Sequence, residues 1–324
     1  MAKPGAVEEP VKNVQFPLIG ALAAATLCAG CATASAPATA DAAIAPADAA
    51  SDVQATPLPK WSTHKIYVFD TIGFTRLDKE GHTPGWDLDG VVSGTDDVSS
   101  CGHADFTAPD GTPGIDNQFA TLVPLIEATG ISAVEKLLQA SIESGGILML
   151  MELDGLDDLV TDPEVHVRVR AAFGLPLLGT DGRLLTDQTF HVSPRDPSVD
   201  AGIAKLAGGV LETKPFDIDL PVQVFGKDYT LEARGAHVRF RIVDAERIVD
   251  GVLGAGITIA SVKAIAKKGA EDQSDILPIV NSLVDGNGDL ARDADGVCQQ
   301  LSAGLQFTGV SAFFFPADVT ASGK

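Results

Sequence analysis

Oxygen-bearing side chains recur at every second position in Asp285-Gly-Asn-Gly-Asp289, and Asp293 and Asp295 follow before Cys298. The interleaved glycines permit the sharp turns that aim several oxygens at one centre. Carboxylates crowded into so short a stretch repel one another unless water or a cation neutralises them. A hard dication with oxygen ligands, calcium above all, suits that donor set. A second acidic stretch lies far upstream. From Gly81 to Asn117 the chain is turn chemistry without a periodic segment, carrying Asp87, Asp89, Asp96, Asp97, Asp105, Asp110 and Asp116. A loop this long inside a folded domain calls for an ordering agent other than hydrophobic packing, and Trp86, Phe106 and Ile115 argue against plain disorder. Calcium held by side chains such as Asp87 and Asp89 would order it. The rival is a set of Asp-Gly turns whose carboxylates merely cap the backbone.

The downstream stretch resembles the opening half of an EF-hand or dockerin-type calcium loop. Asp285, Asn287 and Asp289 fall at positions one, three and five, Asp293 at nine, and the position-seven carbonyl is that of Ala291. Leu290 stands where that family has Gly, and Gly296 where it has the bidentate Glu. The resemblance therefore implies a looser calcium site built on Asp285, Asn287, Asp289, Ala291, Asp293 and Asp295, completed by distant oxygens such as Asp87 and Asp89. Cys101 and Cys298 each sit in an Asp/Gly-rich loop and are expected to pair, joining the two acidic stretches; two free thiols are the alternative.

The N-terminus speaks to compartment. Phe16 to Gly30 carries no charge and is rich in Ala and Leu, the length of a signal-peptide h-region rather than a membrane span. It runs into Leu27-Cys-Ala-Gly-Cys31, which resembles a bacterial lipobox and implies Cys31 as the acylated first residue of the mature chain. An ordinary signal peptide cut near Ala34-Ser-Ala36 is the alternative. Residues 31–60, almost wholly Ala, Thr, Ser, Pro and Asp, bury too little surface to offset their ordering entropy and read as a tether. The expected organisation is a signal peptide over 1–30, the tether over 31–60 and one globular domain over 61–324. The implied location is exported: anchored at the outer or cytoplasmic membrane, periplasmic, or on the cell surface.

A formal charge of −21, from 23 basic and 44 acidic residues, disfavours nucleic acid, which needs clustered Lys and Arg. Catalytic motifs are poor. No Gly-x-Ser-x-Gly elbow, Walker loop or His-Glu-x-x-His occurs, Gly251-x-x-Gly254-x-Gly256 has the wrong spacing for a dinucleotide loop, and the six histidines lack zinc-ligand spacing. Glu152 and Asp154 share a strand face by periodicity alone.

The elements that must position these groups are mostly strands. His64 to Phe69, the apolar run Ile147 to Leu153, the alternation of Val165, Val167 and Val169, and segments 183–192, 210–213, 216–225, 230–243, 252–260 and 301–315 read as β. Residues 119–128, 131–144, 261–268 and 276–284 read as short helices. Arg168 and Arg170 with Arg239 and Arg241 could form one basic face if their strands lie side by side; pairing with neighbouring acids is the commoner fate. The fold class expected is α+β: mainly antiparallel, sandwich-like β with a few short helices packed on it. The functional expectation is an exported, lipid-anchored envelope protein with calcium-stabilised acidic loops and a non-enzymatic binding or structural role. Its partners would be the membrane, through the lipid, and an envelope protein or glycan. A calcium-dependent hydrolase acting on polysaccharide and a carbohydrate-binding module are the alternatives, the latter restricted by only two Trp and two Tyr.

Overall fold

The computed structural model describes residues 63–127, 133–193, 199–224, 227–269 and 277–315. The expected signal peptide, the tether and Cys31 lie outside them. Within them the chain is mostly antiparallel β with four short helices: β1 Lys65–Phe74, β2 Phe106–Thr107, β3 Pro113–Ile115, α1 Phe119–Ile126, α2 Ala133–Glu143, β4 Leu148–Asp154, β5 Asp162–Phe173, β6 Gln188–Val192, β7 Val199–Ala207, β8 Val210–Glu212, β9 Phe216–Val224, β10 Lys227–Ile242, β11 Arg247–Thr258, α3 Ile259–Gly269, α4 Leu277–Asp285, β12 Leu290–Arg292 and β13 Cys298–Phe314. This is the α+β class expected.

The main sheet closes on itself. Going round, β1, β4, β5, β7, β8, β10, β11 and β13 pair antiparallel with their neighbours, and β13 returns to β1. β9 continues the strand position of β8 alongside β10. Each of these strands sends apolar side chains inward, among them Phe69, Met151, Val167, Leu206, Leu211, Phe240, Leu253 and Phe307, into one packed interior. Charged residues such as Arg168 and Arg241 point the other way. Apolar inside and polar outside is the reverse of a lipid-facing barrel.

A second, smaller layer covers the outer face of β1 and β4. The end of β13 leaves its antiparallel partner and runs parallel to β6 through Ala312, Phe313 and Phe314, while β6 pairs with Ala172 and Phe173 of β5. Beneath them lie Ile66, Val68, Leu148, Leu150, Phe190 and Ile142 from α2. β1 and β4 are thus buried on both faces, which explains why Ile147 to Leu153 reads as a continuous apolar run instead of an alternating one. The turn after α2 depends on Gly145: its φ is +77°, and a Cβ there would lie 1.9 Å from the Gly174 carbonyl oxygen.

Two expectations need correction. β7 has no counterpart in the sequence reading, because a bulge at Gly202 (φ +76°) spaces its inward residues Ala201, Ala204 and Leu206 irregularly and hides the alternation. The shared basic face does not form either: β7 and β8 stand between β5 and β10. Arg168 instead meets Asp154, Arg170 meets Glu152, and Arg241 meets Asp250.

Candidate metal centre

The upstream acidic loop is fixed to the barrel wall by Trp86. Its indole lies on Gly254 of β11, where a Cβ would come within 2.5 Å of the ring, with the His237 ring tilted against it at 4.8 Å and the Arg239 guanidinium 5.1 Å from the ring centroid. The Trp86 carbonyl accepts the Asp116 amide at 2.8 Å, so the two sides of the loop meet at this anchor.

Around it the carboxylates converge. Asp87, Asp89 and Asp116 each offer a ligand oxygen, and these oxygens lie within 4.8 Å of one another. Each carboxylate also has one oxygen fixed by a backbone amide. Asp87 Oδ1 accepts from Gly90 at 2.7 Å, Asp89 Oδ1 from Val91 at 2.9 Å and Asp116 Oδ2 from Leu88 at 2.6 Å. Asp105 joins them through Oδ2, which accepts from Ser93 at 2.6 Å. Amides thus hold one oxygen of each side chain, and a side-chain hydrogen bond joins Asp105 to Asp116.

The electrostatics are those of a site short of positive charge. Burial pushes the Asp116 carboxyl up to about 8; the Leu88 amide opposes this, and the charges of Asp105, Asp89 and Asp289 add to it. Asp105 is raised by burial and by Asp89 and Asp87, against the pull of the Ser93 amide. Asp289, 5% exposed, is raised by burial to about 6 although Ser302 hydrogen-bonds it. A proton or a cation relieves this repulsion.

The back of the site is a saturated polar core. Asp289 Oδ1 accepts the Ser302 amide at 2.7 Å, Oδ2 accepts the Ser302 hydroxyl, and that hydroxyl accepts the Gln118 amide at 2.7 Å. Asn117 Nδ2 donates to Thr75 and Thr83 hydroxyls at 2.6 and 2.8 Å, and its Oδ1 accepts the Gly304 amide at 3.0 Å. Ser302 and Asn117 escaped the sequence reading, since neither type nor spacing marks them. Cys101 and Cys298 are joined as expected, with Cα atoms 6.2 Å apart and a sequence separation of 197. The bridge brings the two acidic stretches side by side.

The downstream residues do not gather into that group. β12 runs through the stretch and pairs with β13 at Leu290–Gln300 and Arg292–Cys298, so the residues on either side of it part. Asp285 bonds Lys263 of α3 at 2.5 Å. Asn287 donates to the Leu283 carbonyl at 2.7 Å and accepts from Gln118 at 3.3 Å. Ala291 lies within β12 with φ +54°. Asp293 accepts the Asp295 and Val297 amides at 3.0 and 2.9 Å, and Asp295 is exposed. Only Asp289 turns inward toward Asp116 and Asp105.

Comparisons with protein-family models, curated protein sequences and solved structures returned no match.

Proposed function

We propose that this chain is an exported, lipid-anchored envelope protein whose barrel carries a calcium-braced loop and serves a non-enzymatic binding or structural role. The observation that carries the reading is the convergence of Asp87, Asp89 and Asp116, each with one oxygen already held by a backbone amide. Calcium takes six to eight oxygens in flexible geometry, and neighbouring Asp105, backbone carbonyls and water would complete the shell. The disulfide suits an oxidising compartment and agrees with export. Lipid attachment at Cys31 rests on the sequence alone.

The interior filled by apolar side chains from every strand of the ring supports a structural or surface-binding role over chemistry within the barrel. Glu152 is a poor general acid for glycoside cleavage. Burial would raise its carboxyl, but hydrogen bonds from His64 and Arg170 outweigh that and hold it at about 2.

Two measurements test the proposal. Calorimetric titration of the full chain with calcium should give one site that chelator empties, with the melting temperature raised in millimolar calcium. Intact-mass analysis of the membrane fraction should show acyl groups on Cys31. Absence of calcium binding removes the ion from the reading; an unmodified Cys31 removes the anchor and leaves the ion.

A further inference from the structure

A second group of metal-capable side chains sits on the opposite face of the β1–β4 pair from the barrel interior. Ile66 pairs with Glu152 in register, which sets His64 across from Asp154, and Glu152 and Asp154 share that face of β4. His64 Nε2 is 2.9 Å from Glu152 Oε1 and 3.7 Å from Asp154 Oδ1, and the three ligand atoms lie within 4.8 Å of one another. Ligands on a tetrahedral ion with bonds of about 2.1 Å stand about 3.4 Å apart, so these separations bracket what insertion of an ion requires.

The second oxygen of each carboxylate is held from behind. Arg170 Nε meets Glu152 Oε2 at 2.5 Å, and Arg168 Nη1 meets Asp154 Oδ2 at 2.5 Å. Arg168 Nη2 is in turn 2.9 Å from His166 Nδ1, whose Nε2 is 2.8 Å from Asp200 on β7. Outer-shell partners of this kind orient ligands and are integral to metal sites. The guanidiniums also offset the carboxylate charge. An ion held chiefly by charge, such as calcium, gains little here, whereas one that bonds well to imidazole nitrogen keeps its advantage. Burial suits an entry path: the Glu152 side chain is 6% exposed, and those of His64 and Asp154 are 35% and 36% exposed at the rim.

We propose that His64, Glu152 and Asp154 form a site for a divalent transition-metal ion of the zinc class, with one coordination position open to water. The ion replaces the His64–Glu152 hydrogen bond, and a proton on Nε2 leaves to solvent as the metal binds, the ring ligating as neutral imidazole with its proton on Nδ1. The site shares no residue with the acidic loop, so it stands or falls independently of the calcium reading.

Cobalt(II) is the probe, because its visible absorption distinguishes a low-coordinate nitrogen–oxygen site from hydrated ion. The full chain, without an affinity tag, should take up one equivalent with such a band, and excess zinc should bleach it. His64→Ala and, as a second variant that leaves the ring in place, Asp154→Asn should each weaken binding at least tenfold. Asp116→Asn, in the acidic loop, should leave the band unchanged. Absence of the band, or a band that survives both His64→Ala and Asp154→Asn, overturns the proposal.

Discussion

Replacing Asp116 by Asn should stabilise the protein in chelator, the opposite of what the loss of a buried hydrogen-bonded carboxylate usually does. In the fold this carboxyl keeps its proton up to about 8, against 3.8 for the ordinary group. At pH 7 the unfolded chain ionises it and the folded chain does not, so folding requires proton uptake. The span from 3.8 to pH 7 corresponds to a ceiling of about 4 kcal/mol. Loop relaxation and water entry remove part of that, and a gain of about 2 kcal/mol is a fair expectation for Asn. Asn retains a carbonyl oxygen for the Leu88 amide, now held at 2.6 Å by Oδ2, so the turn keeps its bond. A rise in melting temperature of about 4–8 °C would follow for a domain of this size. The sign extends to pH: in chelator the wild-type protein gains stability as pH falls from 8 toward 4, and the variant lacks that component. In millimolar calcium the order reverses, because wild type gains from the ion and the variant does not. Thermal unfolding followed by circular dichroism, with and without chelator and across pH, reads all of this. An Asn variant that melts lower in chelator, or that keeps the full calcium shift, refutes the reasoning.

Reduction of Cys101–Cys298, or Cys101→Ser with Cys298→Ser, reopens a loop of 197 residues and should cost up to about 5 kcal/mol by loop-closure entropy, measured by urea unfolding. Glu152→Gln leaves Arg170, itself 9% exposed, without its counter-charge and should destabilise by about 3 kcal/mol at neutral pH. Because the Glu152 carboxyl is held at about 2, its contribution is present above the ordinary 4.5 and is lost as pH falls from there toward 2; acid melts of wild type and variant should converge over that window. Gly254→Ala puts a methyl 2.5 Å from the Trp86 ring and should cost about 1–3 kcal/mol while raising protease cleavage within residues 87–116.

Much of the architecture was legible from local pattern. Val165, Val167 and Val169 alternate because one face of β5 meets the core, and the unbroken apolar run of β4 marks a strand covered on both sides. The Cys101–Cys298 pairing followed from two cysteines in two acidic loops. What stayed hidden has a common physical cause. Bulges at Gly202 in β7 and at Asp250 (φ +53°) in β11 break the two-residue period, so strands there lack their usual signature. At the candidate metal centre, residue type marked both acidic stretches, but not which of their carboxylates the fold brings together. The EF-hand-like spacing of Asp285, Asn287 and Asp289 describes a loop that wraps one ion, yet the three-residue strand β12 takes up the backbone and sends those side chains to Lys263, Leu283 and Ser302.

The sequence by itself determined the acidic surface, the strand-rich class, the two loops rich in carboxylates and the cysteines that join them, because these depend on composition and short-range period. Tertiary structure alone decided which oxygens face one another. Asp116 meets Asp87 and Asp89 across a loop anchored by Trp86 on Gly254, and His64 meets Glu152 and Asp154 through strand register. Such convergence depends on the pairing of distant strands, and no spacing along the chain encodes it.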